Sequence, residues 1–407
     1  MPWMTRWPGA FPLFVDYAEG ATCTDVDGLT YVDFCLGDTG AMTGHALPQV
    51  ADALAAQAHR GITTMLPGAD AIWVADELAR RFGLPFWQMA MTATDANRFV
   101  LRFARELTGR PKVLVFDWCY HGTVDEALAT LAPDGRVVAR PGSLGPQVDP
   151  AVTTKVVPFN DVQALRAALA PGDVACVLAE PALTNIGIVL PGPGFHDALR
   201  TATRDTGSLL VIDETHTICA GPGGCTAAWG LDPDILVIGK TIGGGVPAAA
   251  YGLSAEVAEG LRTPLFAEDV DVSGIGGTLT GSALALAAVR ATLSSTLTVA
   301  DFEQTIPLAG RWVGGVHDVI SAHDLPWTVQ QLGCRAEYWF CPPPRDGAAA
   351  AAAVDGELDA FMHLWALNRG ILLTPFHNMA LLSPHHCAGD VDLHTEVFGA
   401  AVDRLAA

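Results

Sequence analysis

Four short apolar runs are each bounded by turn residues and predict buried strands, at 113–116, 174–178, 209–212 and 235–238. Segments with apolar residues at helical spacing lie before and between these runs and predict amphipathic helices, at 48–59, 68–82, 96–107 and 195–206. Strands that alternate with helices assemble from units in which a helix connects two parallel strands. The pattern therefore predicts an α/β fold with a mostly parallel sheet covered by helices.

The two ends of the chain depart from this alternation. Near the N-terminus, Asp27-Gly28 separates two apolar runs and predicts a tight hairpin. In the middle of the chain we expect a helix soon after Gly122. Beyond residue 281, a helix rich in Ala and Leu leads into mixed strands and a surface loop at 341–353, and two further helices follow. Extension of the alanines of this loop into the next helix is the alternative.

These changes of pattern predict three units along the chain. An N-terminal segment, 1–45, is expected to pack with the C-terminal part. A large domain spans 46–280, and a smaller α+β domain spans 281–407.

Composition narrows the class of protein. Of the 407 residues, 50% are hydrophobic and 16% are charged, which is typical of a folded globular protein. The formal net charge of −21 argues against nucleic acid or an anionic membrane as the main partner, since both bind clustered Lys and Arg. Nine scattered cysteines without a CxxC pair, together with the lack of a signal peptide or a long apolar run, predict a reduced, cytoplasmic protein.

Several generic motifs fail in detail. Gly239-Lys240-Thr241 resembles the end of a phosphate-binding P-loop, but Asp234 stands where that motif needs glycine. The glycines at 274, 276 and 277 do not complete a dinucleotide fingerprint, because position 279 is Leu. His385-His386 lacks a carboxylate or cysteine partner at ligand spacing, so we expect no metal site.

Two ionisable residues follow strands of the predicted sheet, at the point where each strand ends. Asp213 comes directly after 209–212, and Lys240 lies two positions after 235–238. Buried charged groups are costly unless they are paired or used. A partly desolvated lysine is a nucleophile toward an aldehyde, and a buried carboxylate can keep a pyridine nitrogen protonated. A solvated lysine and a turn-capping carboxylate are the alternatives, but the pair together favours a cofactor site.

The sequence around this pair resembles the class III (subgroup II) aminotransferases, which are pyridoxal-phosphate enzymes of fold type I. The resemblance is carried by VIDETHT and PDILVIGKTIGGGVPAAAYG, with YVDFCLGDTGAMTGHALPQV, EPALTNIGIVLP and GGTLTGSALALAA in the family's order. It covers nearly the whole chain, and the pattern is most similar to glutamate-1-semialdehyde aminomutases and β-amino-acid transaminases. It implies a seven-stranded, mostly parallel sheet, pyridoxal 5′-phosphate as cofactor, and a homodimer with shared active sites.

The resemblance also implies roles for individual residues. Lys240 would form the aldimine with the cofactor and later shuttle a proton, and Asp213 would pair with the pyridine nitrogen. Ala93 replaces a glycine of the family's phosphate loop, and a left-handed backbone there would be strained. The remaining matches are the phosphate-loop residues Thr92 and Thr94, the ring-stacking Tyr120 and its neighbour His121, Thr215 and His216 on the other face of the ring, Glu180 near the pocket, and Thr278, which would reach the phosphate of the other subunit.

The substrate is less well defined. The segment 372–379 lacks the arginine with which many relatives bind a substrate carboxylate, so Arg6 is the candidate for that role. Trp73, Phe376 and His377 are candidates for the pocket wall. The resemblance implies a transaminase, and these features suggest that it moves an amino group from an amine or amino acid, hydrophobic, aromatic or β-amino, to a keto acid. An intramolecular aminomutase is the alternative. A pyridoxal-dependent decarboxylase or racemase and a non-catalytic binding protein with this fold are further possibilities, and the presence of both Lys240 and Asp213 argues against the last.

Overall fold

The computed structural model describes residues 13–144, 148–266 and 274–406. The strands in chain order are β1 (Val15–Glu19), β2 (Thr22–Asp25), β3 (Thr30–Asp33), β4 (Phe86–Ala90), β5 (Lys112–Phe116), β6 (Ala129–Leu131), β7 (Val137–Ala139), β8 (Thr154–Val157), β9 (Val174–Ala179), β10 (Leu209–Asp213), β11 (Ile235–Ile238), β12 (Ala249–Leu253), β13 (Thr328–Leu332), β14 (Arg335–Trp339), β15 (Ile371–Leu372) and β16 (Met379–Leu381). The helices are α1 (Pro48–Ala58), α2 (Ala69–Phe82), α3 (Ala93–Thr108), α4 (Pro150–Thr153), α5 (Val162–Leu169), α6 (Phe195–Thr206), α7 (Gly224–Trp229), α8 (Ala255–Phe266), α9 (Ala283–Ser295), α10 (Val299–Ala322), α11 (Gly347–Ala352), α12 (Gly356–Leu367) and α13 (Ala388–Ala406).

A seven-stranded sheet forms the centre of the molecule, in the order β4-β12-β11-β10-β9-β5-β8. The strands from β11 to β8 pair in parallel, whereas β12 is antiparallel to both of its neighbours. Every residue of β9, β11 and β12 is buried, as expected for strands covered on both faces. The predicted α/β fold with a mostly parallel seven-stranded sheet is therefore confirmed.

Smaller sheets join the two ends of the chain. The predicted N-terminal hairpin is present, because β2 and β3 pair antiparallel around Asp27 and Gly28. The C-terminal strand β15 pairs in parallel with β3, so both ends contribute to one four-stranded sheet. Strands β13, β14 and β16 form a separate three-stranded sheet. The domain boundaries near residues 45 and 280 remain a prediction.

Three local predictions were wrong. The segment after Gly122 forms only a short 3₁₀ turn, Asp125–Ala127, before strand β6 begins. The region beyond α9 contains the 24-residue helix α10, which the helix-breaking residue Pro307 hid from the sequence pattern. The alanines of the loop predicted at 341–353 do not extend the next helix, α12, but form the separate helix α11, whose first turn is capped by the Asp346 side chain.

Among the described residues, no single helix has both the length and the apolar character of a membrane span. Helices α9 and α10 meet those criteria only as a pair, and they are bent by 70° relative to each other.

Candidate active site

Asp213 and Lys240 lie at the same edge of the central sheet. Strands β10 and β11 are parallel neighbours, with Asp213 opposite Val237, so the residues after both strands meet. Asp213 and Lys240 line one cavity of about 340 Å³. Eight other predicted cofactor residues line the same cavity, namely Thr92, Ala93, Thr94, Tyr120, His121, Glu180, Thr215 and His216.

The Asp213 carboxylate is buried and held by three donors. Its Oδ2 accepts from His121 Nδ1 at 3.0 Å and from Asn97 Nδ2 at 2.9 Å, and its Oδ1 accepts from the Thr215 backbone N–H at 3.0 Å. Burial opposes ionisation, but the hydrogen bond and charge of His121 outweigh burial and lower the pKa of Asp213. The carboxylate is therefore ionised and fixed in orientation, as a partner for a cationic ring nitrogen must be.

His121 carries the matching positive charge. Burial disfavours its charged form, yet the charge of the neighbouring Cys119 side chain, followed by the hydrogen bond and charge of Asp213, raises the pKa of His121 to about 10. The two residues therefore form a buried ion pair in the wall of the cavity.

Asn97 is a site residue that the sequence interpretation missed. It is fully buried on α3, and its amide also donates to the His121 backbone carbonyl at 3.2 Å. An asparagine beside the apolar face of an amphipathic helix indicates a buried polar contact, because a buried amide needs hydrogen-bond partners. That signal identifies a buried polar residue, but it does not identify the partner.

Lys240 begins a 3₁₀ turn that is separated from β11 by Gly239 alone, and its amine contacts two side chains. Nζ donates to Asp38 Oδ2 at 2.7 Å and lies 2.7 Å from His216 Nε2. On the other side of the imidazole, His216 Nδ1 lies 3.0 Å from Thr39 Oγ1. Because the ammonium has only donors, Nε2 acts as acceptor and His216 is neutral with its proton on Nδ1.

The charges of the site support this assignment. Burial and the neighbouring Lys240 charge lower the pKa of His216 to about 3, so the imidazole stays neutral. Burial alone would raise the pKa of Asp38, but the charge of Lys240 holds it well below its usual range. Asp38 was not predicted as a site residue, because it lies in a loop segment without periodicity. No local sequence signal marked its contact with a lysine 202 positions away.

The N-terminus of α3 opens onto the cavity and fits an anionic group. Thr92 caps the helix, since its hydroxyl accepts from the Asp95 backbone N–H at 3.2 Å. Ala93 is the first helical residue, so the strain expected from a left-handed backbone at this position is absent. Gly122 has a φ of +79°, and a Cβ added there would collide with Thr94 Oγ1. This close approach requires glycine.

Glu180 supports the loop that carries Tyr120. Its Oε1 accepts from the Tyr120 backbone N–H at 3.4 Å, and its Oε2 accepts from the Thr184 hydroxyl. Burial raises the pKa of Glu180. Tyr120 itself is 39% exposed and presents its side chain to the cavity.

Four remaining predicted residues that the structure describes are not part of this cavity lining, namely Trp73, Thr278, Phe376 and His377. Trp73 packs beneath the guanidinium of Arg290, whose carbon lies 5.5 Å from the ring centroid. His377 is buried and pairs with Glu337 at 3.0 Å, while its neighbour Phe376 is 38% exposed. Thr278 is exposed on the described chain, and Arg6 lies outside the described residues.

Comparison with known proteins identifies the family. The class-III aminotransferase family matches residues 3–311. The chain belongs to this family. It is 34% identical to a glutamate-1-semialdehyde 2,1-aminomutase from Desulfitobacterium hafniense strain DSM 10664 / DCB-2, over 95% of this chain and 90% of that protein. The predicted resemblance is therefore confirmed.

Solved structures of related proteins have the same fold. A glutamate-1-semialdehyde aminomutase from Pseudomonas aeruginosa PAO1 has a TM-score of 0.98 and 50% identity, covering 100% of this chain and 90% of that one. An omega-transaminase from Sphaerobacter thermophilus has a TM-score of 0.88 and 27% identity over 99% of this chain and 93% of that one. A β-phenylalanine aminotransferase from Variovorax paradoxus has a TM-score of 0.86 and 26% identity, covering 100% of this chain and 90% of that one.

The cavity of this class-III aminotransferase fits the cofactor of its family. Pyridoxal 5′-phosphate has four polar groups, and the cavity has a counterpart for each. The Asp213 carboxylate suits the ring nitrogen, and the Lys240 amine suits the aldehyde. Hydrogen-bond donors suit the ring oxygen, and the N-terminus of α3 suits the phosphate. The buried Thr215 hydroxyl lines the cavity and has no hydrogen-bond partner among the described residues. That hydroxyl is free to contact a ligand. The prediction of pyridoxal 5′-phosphate as cofactor is confirmed.

Proposed function

We propose that this enzyme is an aminomutase of the glutamate-1-semialdehyde type, which moves an amino group between two carbons of one substrate. The observation that carries the proposal is the similarity to the Pseudomonas aeruginosa aminomutase, with 50% identity over the whole chain and a TM-score of 0.98. The 34% identity to the Desulfitobacterium hafniense aminomutase points in the same direction. This reaction was the alternative expectation from the sequence, and it is better supported than transamination to an external acceptor.

The residues around the cavity divide into those that hold the cofactor and those that move protons. Asp213 would face the ring nitrogen, the N-terminus of α3 with Thr92 and Thr94 would hold the phosphate, and Tyr120 would cover one face of the ring. When bound, pyridoxal phosphate supplies an aldehyde that takes up amino groups and a protonated ring that withdraws electrons from the substrate carbon. Asp213 serves this chemistry because it is buried, ionised and fixed by three donors.

Lys240 is the proposed acid–base group at the reacting carbon. Its amine sits between a carboxylate and a neutral imidazole acceptor, each at 2.7 Å, which hold the nitrogen at one position in the cavity. In its neutral form the Lys240 amine would take a proton from one substrate carbon, and the resulting ammonium, paired with Asp38, would return it to another. An aminomutase needs both transfers within one binding event.

Conversion of glutamate-1-semialdehyde by the purified holoenzyme tests the proposal. We expect 5-aminolevulinate to form without any added amino acceptor, and a Lys240→Ala variant to lose turnover. If product forms only when a keto acid is supplied, the aminomutase assignment is wrong.

Transamination is the second candidate function. It is favoured by the similarity to the omega-transaminase and the β-phenylalanine aminotransferase, at 27% and 26% identity. A panel of β-amino acids and aromatic amines with pyruvate and 2-oxoglutarate would identify it through formation of alanine or glutamate. The substrate roles of Arg6, Trp73, Phe376 and His377 belong to either candidate and remain proposals.

A homodimer with shared sites and a cytoplasmic location also remain proposals. The exposed position of Thr278 on the described chain is compatible with contact to a second subunit. Light scattering of the holoenzyme measures the subunit number, and a monomer would remove the proposed role of Thr278.

A further inference from the structure

A left-handed turn at residues 36–39 places Asp38 against Lys240. The φ angles of Asp38, Thr39 and Lys240 are 51°, 78° and 50°, and Leu36 also has a positive φ of 45°. Non-glycine residues rarely adopt this region, and such strain persists where the surrounding structure requires it, often at functional sites. Both members of the ion pair therefore lie on strained backbone, and the fold fixes their approach.

The carboxylate of Asp38 contacts one cation, the ammonium of Lys240. Oδ2 lies 2.7 Å from Lys240 Nζ, whereas Oδ1 is buried and has no hydrogen-bond partner among the described residues. His216 Nδ1 lies 4.0 Å from Oδ1, but this imidazole is neutral. The Asp38 carboxylate can therefore interact with the Lys240 nitrogen when that nitrogen is linked to the cofactor in the loaded enzyme.

We propose that Asp38 is a positioning residue that acts through Lys240: its carboxylate keeps the lysine nitrogen protonated and in place while that nitrogen is linked to the cofactor. This role rests on one part of the proposed function, namely that Lys240 carries the cofactor. An opposite charge within hydrogen-bond distance favours the protonated state by about 1–3 pH units. Five other titratable groups interact electrostatically with Asp38, namely His216, His377, Tyr120, Arg335 and Cys35.

A pH titration of the visible absorbance of the holoenzyme tests this role without any turnover. That absorbance reports whether the linked nitrogen of Lys240 is protonated. In the isosteric variant Asp38→Asn, we expect the midpoint to fall by about 1–3 pH units. Asp38→Glu retains the charge and is expected to recover most of the shift. Asp25→Asn is the matched control, because Asp25 is also a buried carboxylate but makes its hydrogen bonds within the N-terminal hairpin.

The result that overturns the proposal is a D38N midpoint within about half a unit of the wild-type value, well below the effect of a contacting charge. If D38N does not take up cofactor, Asp38→Ser provides the same comparison with a smaller neutral side chain. Failure of the proposed function is distinguishable from failure of this role. An enzyme that shows the spectral shift but needs a keto acid for product formation loses the aminomutase assignment and keeps the role of Asp38.

Discussion

At the scale of single residues, the site depends on buried polar groups whose partners are distant in sequence. Asp213 and Lys240 could be predicted, because each interrupts an apolar run at a strand end. Asn97 and Asp38 contact these two residues directly. Their contacts span 116 and 202 positions of the chain, and side-chain pairing at that range depends on the fold and not on local periodicity.

Replacement of Asn97 by alanine is expected to weaken cofactor binding. The amide donates to Asp213 Oδ2 at 2.9 Å, and loss of a hydrogen bond to a buried charged group costs about 1.5–3 kcal/mol. Because the same bond is present without cofactor, only its strengthening in the loaded enzyme affects binding, and we expect the affinity of N97A for pyridoxal phosphate to fall by less than the roughly 10- to 150-fold to which the full energy corresponds. Titration of the apoenzyme followed by absorbance measures the change. Thermal unfolding of the apoenzyme is the control, and an unaltered affinity would show that the amide does not support Asp213 in the loaded enzyme.

At the scale of elements, the strands that carry the site were the easiest to predict. Strands β9, β10 and β11 are buried, so their sequences are continuous apolar runs with abrupt polar ends. Helix α10 was missed because Pro307 lies in its interior, and the actual start signal is a capping box between Thr298 and Asp301. Tertiary packing of its buried residues, Trp312 among them, outweighs the local cost of the proline.

The contact between the Gly122 loop and α3 gives a prediction with a matched control. Gly122→Ala introduces a Cβ that would collide with Thr94 Oγ1, in addition to the strain of its φ of +79°. Gly135 has a similar φ of +81°, but nothing lies within 4 Å of an added Cβ. We expect G135A to cost about 1 kcal/mol from backbone strain alone, and G122A to cost more than that and to weaken cofactor binding.

Urea unfolding and cofactor titration of both variants measure these effects. Equal losses of stability and unaltered cofactor affinity in the two variants would mean that the close approach of Gly122 to Thr94 is not needed at the helix N-terminus. A loss of affinity confined to G122A would support the role of this contact.

At the scale of the whole molecule, buried histidines set the dependence of stability on pH. Burial lowers the pKa of His216 and His394 to about 3, and that of His363 and His386 to about 4. In the unfolded chain a histidine titrates near 6.5, so below that pH the unfolded state binds more protons than the folded state. The contribution of His121 to the pH dependence of stability has the opposite sign. Its pKa of about 10 provides stability that is complete below 6.5 and is lost as the pH rises toward 10.

Acidification from pH 6.5 to 5 is therefore expected to lower the free energy of unfolding by about 1.6 kcal/mol for each of the four histidines whose pKa is lowered. His394→Phe isolates one of them, because the ring lies 4.7 Å from Trp312 and 5.7 Å from Phe34 and a phenylalanine keeps these aromatic contacts. We expect H394F to be less sensitive to acid than the wild type by about that amount. Urea unfolding of the holoenzyme at pH 6.5 and pH 5 measures the difference. The control is the exposed His317, for which H317F should behave as wild type. If H394F loses stability on acidification as steeply as wild type, neutral burial of His394 does not contribute to the acid sensitivity of the fold.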